Sequence, residues 1–440
     1  MEFEDRLKRL KNERASRARS DTINKAWREI DKSADLTTKE KLERLISLTR
    51  KEKTERDRKK ITVPEPQAQP PFQIFENHYL LRTRYGKATL SSGLKVRSDV
   101  LRALSREPEF SDRDLSTALF LDLETTGLSG GSGVVPFLVG LGYYRDHRFH
   151  VRQFFLGDLA AEEQMIRDLG QFFTEMDFRS VVTFNGKGFD LPLLETRFIL
   201  CRQNLPISGL PHLDFLFPAR SLWSHQQESC RLFHLAREIL GADREEDIPS
   251  AEIPARYFEY LRTGDFSSME PVLYHNQEDI LSLLGVVIVG SGFLAEVPEE
   301  EAEFVVGAMD LFGVAKILEK TGELQKSALF IRRALEGSLS DDVALVAKKK
   351  LASHFKKAQD WEKAIELWRE MTLQDQLSSF RELAMYFEHR ARDYEKAKAI
   401  AEEGLALAMQ LSRTYESDFS HRIERLKAKI ARPKKDGARR

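Results

Sequence analysis

Cysteine is almost absent from this chain: Cys201 and Cys230 are the only two, and no C-x-x-C spacing joins them. That excludes a disulfide framework and a thiolate zinc cluster, and a reducing, cytoplasmic setting is expected. No apolar run reaches bilayer-spanning length. The longest, Leu283–Leu294, is interrupted by Gly290-Ser291-Gly292, and the opening Met1-Glu2-Phe3-Glu4-Asp5-Arg6 lacks the apolar core of a signal peptide. A phosphate-binding loop is missing too. Around Gly186-Lys187 the Walker spacing fails, because Val181 stands where the first glycine belongs and Gly188 where Ser or Thr belongs.

Neither sign of charge dominates, since 69 Lys/Arg offset 70 Asp/Glu. The distribution is uneven, however. Residues 1–60 carry 20 basic against 13 acidic residues and 421–440 carry 9 against 2, leaving the middle at about −15. Basic ends on an acidic body are suited to holding a phosphate backbone, or else are solvated charge without a partner.

At 440 residues with 41% hydrophobic and 32% charged residues, the chain suits two globular domains with appendages. Residues 1–62 read as a charged helical region without a sustained apolar face, and 63–72 as a proline-rich linker. An accessory segment at 73–115 holds an aromatic-rich stretch around Phe75 and Tyr79, then a short helix near 98–105. A domain at 116–298 follows, in which 118–124, 137–144, 149–155, 180–184 and 213–217 read as strands. Helices are expected at 161–176, from about Asp190, and at 269–290. Three strands in succession, then alternation with helices, predict an α/β fold with a mixed central sheet flanked by helices. From 302 to 420 the pattern is helical pairs, with a basic tail at 421–440. Leu324/Ser327, Trp361/Ala364 and Tyr394/Ala397 begin three aligned segments spaced by 37 and 33 residues, the signature of tetratricopeptide-like repeats.

Three segments carry chemistry. Asp122-Leu123-Glu124 ends an apolar strand and places two carboxylates on one of its faces. Side-by-side carboxylates after a buried run are costly unless a cation compensates them. A loop from Gly127 to Gly133 follows directly. The second segment, Asn185-Gly186-Lys187-Gly188-Phe189-Asp190, turns a strand into a helix, and its acid is suited either to helix capping or to a site. The third, Tyr274-His275-Asn276-Gln277-Glu278-Asp279-Ile280, puts His275 and Asp279 on one helical face and turns Tyr274 away. Asp214, after His212, is suited to being an extra acid near the site, although strand-end acids are usually structural. Trp223, Trp361 and Trp368 read as packing residues, and His225, His234 and His354 show no ligand spacing.

Taken together, Asp-x-Glu-Thr-Thr-Gly, Asn-x-x-x-Phe-Asp and a late helical acid preceded by Tyr or His resemble the DEDD-type 3′–5′ exonucleases of the RNase H-like superfamily. The match is closer to their bacterial YprB-type branch, which joins such a domain to tetratricopeptide repeats and includes mitomycin-repair exonucleases. Supporting stretches are Phe137–Gly142, Leu194–Phe198 and His275-Asn276-x-x-Asp279-Ile280, and the resemblance covers roughly 75–420. The subclasses place His five residues before the last acid or Tyr four before it. Here Tyr274 is five before and His275 four before, so neither rule assigns the base, and helical geometry favours His275.

The resemblance implies an RNase H-like domain with two Mg²⁺ or Mn²⁺ ions held by Asp122, Glu124, Asp190 and Asp279. It also implies His275 as general base, with Thr125, Gly127, Asn185 and Phe189 around the terminal nucleotide. Hard oxygen donors suit those ions. The expected activity is phosphodiester hydrolysis of DNA in repair, with a protein partner such as a helicase on the repeats and no membrane association. Two alternatives stand beside it: an RNA-processing exonuclease, and an inactive nuclease-like scaffold.

Overall fold

A computed structural model describes residues 70–127, 133–244, 247–295 and 304–431, all within the unit formed by 68–440. The charged region at 1–62, most of the linker, the glycine loop between Gly127 and Gly133, and the last residues of the basic tail lie outside the described residues.

The centre is a six-stranded mixed sheet. Strands β1 (Phe72–Leu80), β4 (Ala118–Thr125), β5 (Pro136–Arg145), β6 (Arg148–Leu156), β7 (Ser180–Thr183) and β8 (His212–Asp214) stand in the order β1-β6-β5-β4-β7-β8. The first four are mutually antiparallel, and β7 and β8 continue parallel to β4. The β5–β6 hairpin closes on Asp146-His147, both at positive φ, as a two-residue turn matched to strand twist requires. The aromatic-rich stretch thus becomes an edge strand on β6. The linker is shorter than expected, because Phe72 already pairs with Leu156 and the Pro71 carbonyl accepts the amides of Gly157 and Asp158. A small ribbon, β2 (Arg84–Tyr85) with β3 (Ala88–Thr89), lies between β1 and the next helix.

Alternation along β4 divides the core. Leu119, Leu121 and Leu123 pack on one face, against α2 (Glu162–Met176), α3 (Asp190–Leu200) and α6 (Ile253–Thr263). Ala118 and Phe120 pack on the other, against α1 (Ser98–Ser105), α4 (Leu216–Trp223), α5 (Leu232–Leu235) and α7 (Glu270–Leu294). Period two carries Asp122 and Glu124 onto this second face, toward α7.

Helix α7 is longer than its broken apolar pattern suggests, running through Gly285, Gly290 and Gly292. The glycines are points of close approach: a Cβ at Gly285 would meet Leu240 Cδ1 at 2.6 Å, and one at Gly290 would meet Phe215 Cζ at 2.7 Å. The stretch 266–294 is long and apolar enough to cross a membrane, and 78% of its most apolar window is buried inside the protein.

Seven helices complete the described chain: α8 (Ala308–Lys320), α9 (Leu324–Glu336), α10 (Asp341–Lys357), α11 (Trp361–Thr372), α12 (Leu377–Tyr386), α13 (Tyr394–Leu411) and α14 (Arg413–Ile430). Ser327, Ala364 and Ala397, the small residues of the aligned segments, are all fully buried near the starts of α9, α11 and α13. The first of these helices is not separate from the sheet. Val314, Ile317 and Leu318 of α8 join Leu222, Trp223 and Phe293 in one apolar cluster, and a Cβ at Gly313 would strike the Leu222 carbonyl at 2.5 Å.

The described part of the basic tail is not an arm. Residues 421–430 continue α14, where Arg422, Arg425 and Lys429 all bond the buried Glu388 at 2.8 Å. Burial raises the Glu388 carboxyl, but Arg425 and Lys429 outweigh it and hold the group down at about 2. Those three cations are therefore engaged inside the fold.

Candidate active site

The second face of β4 brings the sequence motifs together. Asp122 and Glu124 stand at the strand's end, beside a register shift between Glu124 and Thr125. The Thr125 hydroxyl donates to the Gly127 carbonyl at 2.7 Å, and Thr126 Oγ1 accepts the Val135 amide at 3.0 Å. These bonds tie both ends of the glycine loop to the strand.

Asp190 is the first residue of α3. It does not cap the helix: Phe189 occupies the cap position, and no side-chain cap bond forms there. The turn before it is built by Asp214, whose carboxylate accepts the backbone amides of Asn185 at 2.7 Å, Lys187 at 3.0 Å and Leu216 at 3.2 Å. Asn185 sits at φ 73°, a left-handed conformation that Asn tolerates better than most residues. The structural reading of Asp214 is thus the one the geometry supports. Burial, then Asp214, raises the Asp190 carboxyl to about 7.

Helix α7 supplies the third wall. The side-chain amide of Asn276 donates to Asp122 Oδ2 at 2.8 Å and to the Asp122 carbonyl at 3.3 Å. Its own oxygen accepts Gln153 Nε2 at 2.9 Å, which fixes the orientation of the amide. Gly140 on β5 makes room for this: a Cβ there would lie 2.1 Å from Asn276 Oδ1. Gly142 does the same for Ile280, at 2.6 Å. Both residue pairs belong to stretches that supported the resemblance, and close approach of helix to sheet is the reason for the glycines.

His275 is buried and doubly oriented. Its Nδ1 lies 2.6 Å from Asp247 Oδ1, while Nε2 points among Ser250 Oγ at 3.3 Å, Asp279 Oδ2 at 3.4 Å and Glu124 Oε1 at 3.9 Å. Burial opposes the imidazolium, but Asp247, Asp279 and Glu124 together raise the group to about 9. Tyr274 lies elsewhere. It stands near Tyr79 of β1, whose phenol is raised to about 12 by burial, Glu278 and Tyr274.

Two contributors are invisible in sequence patterns. Arg244, almost fully buried, places Nη1 at 2.6 Å from Asp279 Oδ1 and 3.2 Å from Asp247 Oδ2. Its Nη2 donates to the Glu278 carbonyl at 3.0 Å and to Ser282 Oγ at 2.5 Å. One guanidinium therefore holds both the last acid and the carboxylate that orients His275. Arg244 and Asp247 come from the segment between α5 and α6, where a run of charges, residues 243–247, looks like solvated surface. Only the glycines of β5, unusual inside a strand, hinted that a polar side chain such as Asn276 approaches closely.

The electrostatics favour a bound cation. Burial, followed by Asp279, Glu124 and Asp190, pushes the Asp122 carboxyl well above its usual range. Burial raises Glu124 to about 8 even though His275 pulls it down. Carboxylates crowded in this way ionise together only when positive charge enters among them. Donor atoms of Glu124, His275 and Asp279 lie within 4.8 Å of one another, close enough to share an ion. Asp122 and Asp190 are close enough to add their charge to this cluster, so the residues present fit divalent cations. His275, expected only as a base, is also placed among the donors.

Comparison with known proteins places the chain in a family. Residues 119–289 match the RNase H superfamily model RNase_H_2. A solved family B DNA polymerase from the hyperthermophilic archaeon Pyrobaculum calidifontis aligns at a TM-score of 0.34 and 15% identity, over 50% of this chain and 28% of the polymerase. The protein YprB of Bacillus subtilis (strain 168), described as uncharacterized, is 34% identical over 320 residues, spanning 71% of this chain and 75% of its own length. The chain belongs to the YprB family, and its sheet domain is an RNase H-like domain of the nuclease type.

Proposed function

We propose that this protein is a divalent-metal-dependent 3′–5′ exonuclease that hydrolyses phosphodiester bonds of DNA. One observation carries the reading: Nε2 of His275 lies 3.4 Å from Asp279 and 3.9 Å from Glu124, two members of a group of carboxylates, with Asp122 and Asp190, close enough to raise one another. The 3′–5′ direction and the DNA substrate rest on the motif resemblance.

Two Mg²⁺ or Mn²⁺ ions held by the four carboxylates would supply Lewis-acid chemistry and charge neutralisation at the phosphate. The chain's own residues do the rest. Asp247, Asp279 and Glu124 favour the imidazolium in the metal-free protein, and the positive charge of bound ions would oppose it. That leaves Nε2 of His275 neutral to take a proton from the attacking water, while Asp247 receives the Nδ1–H bond and stabilises the imidazolium that forms. Attack at phosphorus breaks the bond to the leaving 3′-oxygen, which is protonated in turn. Arg244 fixes Asp279 and Asp247 in register with each other. Asn276 holds Asp122, Asn185 lines the cleft, and the resemblance adds Thr125, Gly127 and Phe189 as further contacts of the terminal nucleotide. We read α8–α14 as tetratricopeptide-like repeats for a protein partner, a helicase being the expected one, and the setting as cytoplasmic.

The test is hydrolysis of 3′- and 5′-labelled DNA and RNA in Mg²⁺, Mn²⁺ or EDTA. Shortening from the 3′ end that needs metal and is lost in Asp122→Ala supports the proposal. Equal activity in EDTA overturns it, and a clear preference for RNA replaces DNA with RNA as substrate.

A further inference from the structure

Three hollows follow one another away from the candidate site. The first is the site cleft, about 600 Å³, with His275 and Asp279 at its floor and Arg220, Arg231 and Phe233 on its walls. Arg220 also borders a smaller hollow of about 110 Å³, where it meets Phe217, Arg106 and Lys320. Arg106 and Lys320 open in turn onto a third, about 600 Å³, lying between α1 and the helices α8 and α9, where Arg102 joins them. Shared lining residues make the three adjacent along one side of the protein.

The composition of this path is unusual for a protein surface. Arg102, Arg106, Arg220 and Arg231 are exposed and form no ion pair with a carboxylate among the described residues. Lys320 bonds only the neutral Ser221 hydroxyl, at 2.7 Å. Its ammonium is disfavoured by burial and by the nearby Arg106 and Lys350, with Glu319 a lesser counterweight. Acids do border the path. Glu228 lies in the first hollow, and Asp99 and Glu323 in the third, where they pair with Arg97 at 2.5 Å and Lys326 at 3.2 Å. Two phenyl rings stand among the cations, Phe217 at 45% and Phe233 at 47% exposed.

Cations left without counter-charge and interleaved with exposed aromatic rings match what a nucleic-acid strand offers, phosphates alternating with stackable bases. We propose that the upstream nucleotides of the substrate strand run along this path, from the site across α4 to the junction of α1 with α8 and α9. Phosphates lie against Arg220, Lys320, Arg106 and Arg102, and bases stack on Phe233 and Phe217. This rests on the nuclease reading and extends it, since the first repeat helix pair becomes part of the substrate surface.

The experiment compares kcat/KM of the full-length protein on oligothymidylates of 4 and 20 residues at several salt concentrations, for wild type, Phe217→Ala and Arg106→Glu/Lys320→Glu. A four-residue strand ends near the site, whereas the longer one reaches the junction. Wild type should favour the 20-mer, the double variant should reduce that preference about tenfold or more, and its salt dependence on the 20-mer should become shallower. Phe217→Ala, which removes a half-exposed ring and whose folding is checked by the same melting, should reduce the preference about tenfold as well. Thermal melting identifies a double variant that fails to fold, and Phe217→Ala with Arg106→Ala then decides. A wild-type preference for the 20-mer that survives in these variants overturns the path and leaves the nuclease reading intact. Wild type that hydrolyses neither oligonucleotide overturns both.

Discussion

Nδ1 of His275 and Oδ1 of Asp247 are 2.6 Å apart, although 28 positions separate the two residues in sequence. The bond fixes which imidazole nitrogen faces the carboxylates. Replacing Asp247 with Asn keeps the volume and removes the charge, so turnover should fall roughly 10- to 100-fold with folding retained. His275→Ala should cost about 10²–10⁴-fold. Tyr274→Phe should change turnover little, because that phenol lies toward Tyr79. Single-turnover assays on one labelled oligonucleotide compare all three; Tyr274→Phe as the most damaging change would exchange the roles.

Asp122→Asn should separate activity from stability. Asn still accepts the Asn276 amide but brings no charge to a cluster that pushes Asp122 well above its usual range. Turnover should drop about 10³-fold or more, the equivalent of several kcal/mol of lost charge stabilisation. In EDTA the same variant should melt several degrees higher than wild type, because mutual repulsion has been relieved. Calorimetry with and without metal measures the difference.

The pH dependence of the metal-free protein has a definite sign. Glu124 and Asp190 have folded-state values raised to about 8 and about 7, and His275 is raised to about 9. Each raised group binds its proton more tightly when folded, so its stabilisation is complete below the unfolded value and is lost as pH rises through the folded one. These site groups should therefore make stability in EDTA decline from about pH 4 to about pH 9, against a smaller opposite contribution below about pH 6.5 from His212, His225 and His354, which burial holds down. Added Mn²⁺ should raise the melting temperature, and more so at pH 8.5 than at pH 5.5. An EDTA melting profile that climbs across this range would contradict the arrangement of charges described.

Gly140→Ala tests the contact between sheet and helix. The new methyl would occupy the position of Asn276 Oδ1, and the amide must either move or break its bond to Asp122. Overpacking of this kind costs about 1–3 kcal/mol. Urea denaturation should show the loss, and turnover should fall beyond what reduced folding explains, since Asp122 loses its support.

A truncation series tests where the sheet domain ends. A chain stopped at 303 leaves Leu222, Trp223 and Phe293 without the α8 residues that cover them. It should aggregate or unfold at a markedly lower temperature than a chain stopped at 337, which keeps α8 and α9. Size-exclusion chromatography and melting of the two truncations show which holds together.

Much of this architecture was legible because local pattern and fold agree. The β4 run, the β5–β6 hairpin and α2 fall within a residue or two of their sequence patterns, since alternation and helical period reflect faces the protein does bury. Asp122 and Glu124 were legible through strand parity, and His275 with Asp279 through the turn of a helix. Arg244 and Asp247 were not, because their meaning depends on a segment folding back across α7. The boundary near 302 was drawn where composition changes, yet Val314, Ile317 and Leu318 share a core with residues of α4 and α7. The tail's charge excess suggested an arm, but Arg422, Arg425 and Lys429 are bound to Glu388, a partner 34 to 41 positions earlier.

The placement of His275, Asn276 and Asp279 on α7 has a consequence for synthesis. A nascent chain halted before Glu270 has produced the strands carrying Asp122 and Glu124 and the helix carrying Asp190, but no base, no last acid and no amide to hold Asp122. Hydrolytic capacity, under the proposed function, cannot arise on the ribosome until the final helix of the sheet domain has emerged and docked. An unfinished copy of this protein is thereby harmless to the nucleic acids around it.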